Sequence, residues 1–193
     1  MIVSDKYRLI LICNPKVASR SMRDCLFKSG IGTEPGVWEN HHKPAFAVKA
    51  RNPDKWDRYL VAGFCRNPYD RIVSIYHDHH NLRGTIHTDF KTWLSTIKHP
   101  LPETGPWSIL QPQHWYLGEN GGSEKLAVNY LGKYESLQED WKTMLIIARL
   151  SGELEMTHVS GHNNYLEYYD SETAKIVEDL YAADFELFGY RTI

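Results

Sequence analysis

The sequence predicts an α/β fold, three-layered around a mostly parallel central sheet, with a P-loop-like strand–loop–helix near its start. Three observations carry this. Residues 9–21, Leu-Ile-Leu-Ile-Cys-Asn-Pro-Lys-Val-Ala-Ser-Arg-Ser, are an apolar run of buried-strand length that breaks at Asn14-Pro15 and passes into a helix pattern at Met22, Cys25 and Leu26. Residues 59–76 repeat the plan, with an apolar run from Leu60 to Cys65, a turn at Asn67-Pro68, and a helix carrying Ile72, Val73, Ile75 and Tyr76 on its apolar face. The later chain adds amphipathic helical segments. At 193 residues, with 42% apolar and 24% charged residues, the whole fits one domain able to bury a real core.

In chain order, strand 8–13 is followed by helix 20–29, which Gly30 and Gly32 close. Residues 33–56 hold Pro35, Gly36, Pro44 and Pro53 and read mostly as loop, with a short helix at Ala45–Arg51. Strand 60–65 and helix 69–80 come next. Asp89 to Lys98 reads as an amphipathic helix with Phe90, Trp93, Leu94 and Ile97 inward. Residues 99–123, rich in proline and glycine around Trp107, Trp115 and Tyr116, read as a loop-rich cover. Leu126–Tyr130 is the next expected strand, Glu139–Leu150 a helix, and Ser171–Ala183 the last helix, with Asp170 as an ordinary cap. Tyr181, Phe185, Phe188 and Tyr190 are expected to pin the C-terminal segment to the core.

Charge narrows the partners. A formal net charge of −2 argues against a general binder of nucleic acid or anionic membranes. Any anion site must therefore come from local placement of cations and helix ends. The apolar run at 9–13 is far too short to span a membrane, and no targeting segment is visible, so a cytoplasmic setting is the expectation. Cys13, Cys25 and Cys65 are odd in number and read as buried reduced thiols.

Two turns carry the chemistry. The helix start after Pro15 offers backbone N–H groups and the positive end of a dipole, suited to a phosphate-like oxyanion. Lys16 adds a full charge, and Ser19 and Ser21 add hydroxyl donors. The G-x-x-x-x-G-K-[ST] pattern is absent, and no glycine precedes Gly30. The plainer alternative is an ordinary turn with a serine cap. At the second turn, Arg66 ends a strand and Ser74 lies about one turn into the helix; both suit one phosphate, against a local Arg66–Asp70 salt bridge.

Together the segments resemble the paired nucleotide signatures of sulfotransferases that use 3′-phosphoadenosine-5′-phosphosulfate (PAPS). Pro15-Lys-Val-Ala-Ser-Arg-Ser21 is similar to that family's 5′-phosphosulfate loop, and Arg66-Asn-Pro-Tyr-Asp-Arg-Ile-Val-Ser-Ile-Tyr76 to its 3′-phosphate segment. Lys133-Tyr-Glu-Ser-Leu-Gln-Glu-Asp140 and Tyr181 to Tyr190 resemble late motifs of the carbohydrate-type branch. The resemblance spans about residues 8–190 and implies sulfuryl transfer from PAPS to a hydroxyl acceptor, a carbohydrate by that branch, with PAP as product and no metal. It implies a donor site of Lys16, Val17, Ala18, Ser19, Arg20, Ser21, Arg66 and Ser74. Tyr134 and Glu135 follow an expected strand and suit the adenosine side, or equally buried aromatic packing. Gly161-His-Asn-Asn-Tyr165 departs from relatives that carry a basic residue there. Lys16 is the expected neutraliser of leaving-group charge.

Relatives with a histidine base carry it between the two nucleotide segments, which selects His42 ahead of His41, with Glu39 as a carboxylate alternative and a structural pair as the bland one. His77-Asp-His-His80 reads as a solvated helix end, ahead of a substrate-facing role or a metal pair. Trp107, Trp115 and Tyr116 with Lys43, Lys49, Arg51 and Arg83 suit stacking on and charge pairing with a glycan, or equally a core edge and a solvated surface. The competing functions are a kinase-like phosphoryl transferase, which the missing P-loop pattern opposes, and a nucleotide-binding protein without turnover. A plain scaffold leaves the coincidence of the two turns unexplained.

Overall fold

The computed structural model describes residues 1–31, 42–102, 106–155, 161 and 164–193. His41 and Glu39 lie outside them. The chain clusters into two compact units, Met1–Cys65 with Gln113–His158, and Arg66–Pro112 with Val159–Ile193.

The first unit holds a four-stranded sheet in the order β1 (Ile2–Ser4), β2 (Leu9–Ile12), β3 (Leu60–Cys65), β4 (Tyr130–Lys133). β1 pairs antiparallel to β2, while β2, β3 and β4 run parallel. The mostly parallel sheet expected from sequence is therefore present. β1 was not anticipated: three residues are too short to show a period, and Ile2 is legible as strand only opposite Leu11. β2 and β3 are apolar on both faces, as buried parallel strands require.

The strand expected at 126–130 lies instead at 130–133. Leu126 bridges Gly118, and Ala127 N–H bonds Leu117 O, so this stretch pairs with the end of α6 (Gln113–Leu117) rather than with the sheet. Asn129 then occupies β3's edge with its side chain, accepting from Val61 N–H and donating to Tyr59 O. Glycine spacing makes the layer above possible. A Cβ on Gly63 would sit 2.6 Å from Leu117 Cδ2, and one on Gly132 would sit 2.2 Å from the Phe64 ring. Gly132→Ala is therefore expected to destabilise by about 1–3 kcal/mol through overpacking, read as a lower urea midpoint at unchanged m.

α1 (Ser19–Lys28) and α7 (Leu137–Ile147) pack on this sheet through Met22, Cys25, Leu26, Trp141, Met144 and Leu145. α2 (Ala45–Arg51) is where the sequence places it, but α3 (Pro53–Trp56) occupies residues read as loop, with Pro53 as its first residue. Tyr116 is 1% exposed and belongs to the core, not to a cover. The three cysteines are buried and free.

The second unit centres on α4 (Pro68–His77), α5 (Phe90–Ser95) and α8 (Ser171–Phe188), which share an aromatic core of Tyr69, Tyr76, Phe90, Trp93, Tyr181 and Phe185. α4 gives way to a π-helical turn over Asp78–Leu82. α8 runs five residues beyond the expected Ala183, because no breaker precedes Gly189, which caps it at φ 66°. Its start is a full capping box, not the simple cap expected: Asp170 accepts from Thr173 N–H, and Thr173 Oγ1 accepts from Asp170 N–H. Burial, with Glu178 alongside, pushes the Tyr69 phenol up to about 12, so its hydroxyl stays a donor to Glu178.

Candidate functional site

The turn after β2 is built without glycine, yet two residues adopt left-handed backbone. Lys16 has φ 68° and Ala18 φ 61°, with Val17 between them. A Cβ at positive φ costs roughly 1–2 kcal/mol per residue, a strain that tends to persist where function uses it. Alternation of this kind turns successive N–H groups toward one concave side, the geometry of an anion nest.

Ala18 is also the N-cap of α1, and no side chain caps that end. The first helical bond is Met22 N–H to Ala18 O, so the N–H groups of Ser19, Arg20 and Ser21 precede the ladder. The serine cap of the plainer reading is therefore not what forms. Lys16 and Ser19 are half-buried and Arg20 is exposed, whereas Val17 and Ser21 are buried at 1% and 3% exposure.

Asn14 ties the turn to the sheet. It is fully buried, and its Nδ2 donates to Phe64 O and to Gln113 Oε1, each at 3.1 Å. Sequence reading took Asn14 only as a turn residue. The missed signal was a polar side chain within an otherwise apolar strand end, which must find partners when buried. His42 lies against the same strand end, with Nδ1 2.6 Å from Cys13 O.

At the carboxyl end of β4, a tight 3₁₀ turn over Tyr134–Ser136 leads into α7. A cavity of about 360 Å³ opens there, lined by Tyr134, Glu135, Ser136, Leu137, Gln138 and Glu139. Asp140 holds this turn by accepting from Lys133 N–H and from Ser136 Oγ, both at 2.7 Å. In a parallel sheet the turns after β2 and β4 leave the same edge, where open α/β proteins bind ligands.

In the second unit, Arg66 directly follows the last residue of β3, and its Nε donates to Asp70 Oδ2 at 2.7 Å. The salt bridge read as the bland alternative is therefore formed. It orients the guanidinium, whose fork has further donors. Asn67 caps α4 by accepting from Tyr69 N–H. Ser74 lies in the second turn of α4, deeper than expected, at 2% exposure.

Arg71, not singled out from sequence, is 1% exposed, and its Nη2 donates to Ile109 O and Gln111 O. The 77–80 group is a solvated helix end only at His80, which is exposed. His79 is 2% exposed, and His77 Nε2 bonds Tyr168 OH at 2.7 Å. Among the described residues no group of three or more His, Cys, Asp or Glu is placed to hold a metal. Of the 161–165 loop, Asn164 caps a short 3₁₀ turn, and Tyr165 OH accepts from Asn67. His162 and Asn163 lie outside the described residues.

A mostly parallel sheet that feeds a turn with two left-handed residues into a helix start without a side-chain cap defines an α/β protein with a P-loop-like strand–loop–helix. The chain belongs to the sulfotransferase family, whose model matches residues 1–191. It is accordingly a transferase of sulfuryl groups. No curated protein and no solved structure matches the chain. No described helix is long and apolar enough to cross a membrane.

Proposed function

We propose that the protein moves a sulfuryl group from PAPS to a hydroxyl of a carbohydrate acceptor by in-line displacement, as a single catalytic domain in a reducing, cytoplasmic setting that suits its free thiols. The observation that supports this most is the pair of left-handed residues, Lys16 and Ala18, at the head of α1. Backbone strain held without glycine at an uncapped helix start fits an oxyanion better than a simple connection.

In this reading the N–H groups from Val17 to Ser21 and the Ser19 hydroxyl hold the 5′-phosphosulfate. Lys16 neutralises charge on the oxygen that bridges sulfur and phosphorus as that S–O bond breaks. His42 takes the proton of the acceptor hydroxyl as the new S–O bond forms, leaving PAP and a sulfate ester. Tyr134, which lines the 360 Å³ cavity, suits the adenosine. Arg66, oriented by Asp70, takes the 3′-phosphate; Ser74, buried in α4, takes a smaller part.

Radiolabelled transfer from PAPS to a panel of glycans, phenols and peptides tests the reaction; no labelled product from any of them would refute it. Arg66 tests the donor separately. Arg66→Ala is expected to weaken PAP by about tenfold or more while changing adenosine 5′-phosphosulfate by less than about twofold, because a charge-assisted bond to the 3′-phosphate is missing only in the first case. Calorimetry showing equal losses for both would remove Arg66 from the 3′-phosphate.

A further inference from the structure

We infer that the end of β2 is a positioning bracket for His42. The Cys13 carbonyl holds the imidazole as its Nδ1–H tautomer, and the buried Asn14 carboxamide keeps that carbonyl in place. The inference rests on the reading of His42 as the base and adds which nitrogen receives the proton.

His42 Nδ1 lies 2.6 Å from Cys13 O. A carbonyl oxygen only accepts, so Nδ1 must carry the hydrogen, and the lone pair of the neutral ring is then on Nε2. This is the less common tautomer of a free histidine side chain, so the backbone selects it against intrinsic preference. Nε2 becomes the atom that takes the acceptor's proton. Protonation there leaves the Nδ1–H bond to Cys13 intact, so the ring keeps its orientation in both charge states.

Local chain geometry explains why that carbonyl is available. β2–β3 pairing ends at Ile12 opposite Gly63. Asn14 N–H then closes a three-residue turn on Ile12 O at 3.2 Å, with Cys13 at its centre, and the chain leaves the ladder. Asn14 could not shift without breaking two buried bonds, to Phe64 O on β3 and to Gln113 Oε1 on α6.

Its remaining polar atom, Oδ1, is buried with no partner among the described residues. A half-satisfied amide is a poor filler for a core, and such groups in native structures call for a reason beyond packing. Fixing the Cys13–Asn14 peptide supplies one. The same peptide leads into Lys16, so one strut sets both the base and the cation of the proposed reaction.

The test is long-range ¹H–¹⁵N correlation spectroscopy on histidine-labelled protein above the imidazole titration, with His42 assigned by its loss in His42→Gln. The expected spectrum has a pyrrole-type Nδ1 and a pyridine-type Nε2. An Nε2–H form, or a rapidly averaged mixture, overturns the inference. Asn14→Asp removes both amide donors; it is expected to move His42 toward an averaged tautomer and to lower kcat by about tenfold. Unchanged tautomer and kcat in a folded Asn14→Asp protein would remove Asn14 from the bracket. Should that variant fail to fold, the native spectrum still decides. The spectra need neither donor nor acceptor, so the expected tautomer alongside absent transfer would refute the functional reading while leaving the bracket established.

Discussion

Lys16→Ala is expected to leave the protein folded and to lower turnover by about a hundred- to a thousandfold, equivalent to about 2.7–4 kcal/mol of lost transition-state stabilisation. Lys16 is half-buried in the turn before α1, so its charge acts where water is partly excluded. The backbone argument predicts little change in stability. Lysine and alanine both carry a Cβ and meet the same strain at φ 68°, whereas Lys16→Gly would relieve it. Single-turnover rates with PAPS, set beside thermal unfolding of the same variants, check both halves. Native-like turnover in Lys16→Ala would take the residue out of the mechanism.

Arg71→Met should give the largest loss of stability. The guanidinium is almost wholly buried, donates to Ile109 O and Gln111 O at 2.6 and 2.8 Å, and lies 5.8 Å from the centre of the Tyr181 ring. Hydrogen bonds from a charged donor contribute about 1.5–3 kcal/mol each. The Nε, without a partner among the described residues, offsets part of this. A net loss of about 3 kcal/mol is expected, a large share of a typical folding free energy. It would appear as a fall in urea midpoint with m unchanged. If Arg71→Met instead kept its midpoint and lost PAP affinity, Arg71 would belong to the nucleotide site rather than to the framework of the second unit.

The parts of this protein legible in its sequence are those governed by local pattern. β3, α2 and the inward face of α5 follow from apolar run length and period, and they lie where the pattern puts them. The two turns that carry the proposed chemistry were legible for the same reason: Asn14-Pro15-Lys16 and Arg66-Asn67-Pro68 are strong breaks beside strong strands. β1 and the true limits of β4 were not, because three or four residues carry too little pattern to outweigh a competing partner. Leu126 and Ala127 look like strand and are strand-like, but they pair with the end of α6.

Local pattern was enough for the order of strand, turn and helix, the identity of the cations, and the likeness to sulfotransferases. Which backbone atoms those residues meet depends on how the elements pack in three dimensions. It bent Lys16 and Ala18 into left-handed geometry, paired Arg66 with Asp70, buried Ser21 and Ser74, and set His42 against Cys13 O. Composition and period report which face of an element is apolar. Hydrogen-bond partners fifty or a hundred residues away, such as Phe64 and Gln113 for Asn14, are set by how strands and helices stack, and no local pattern encodes them.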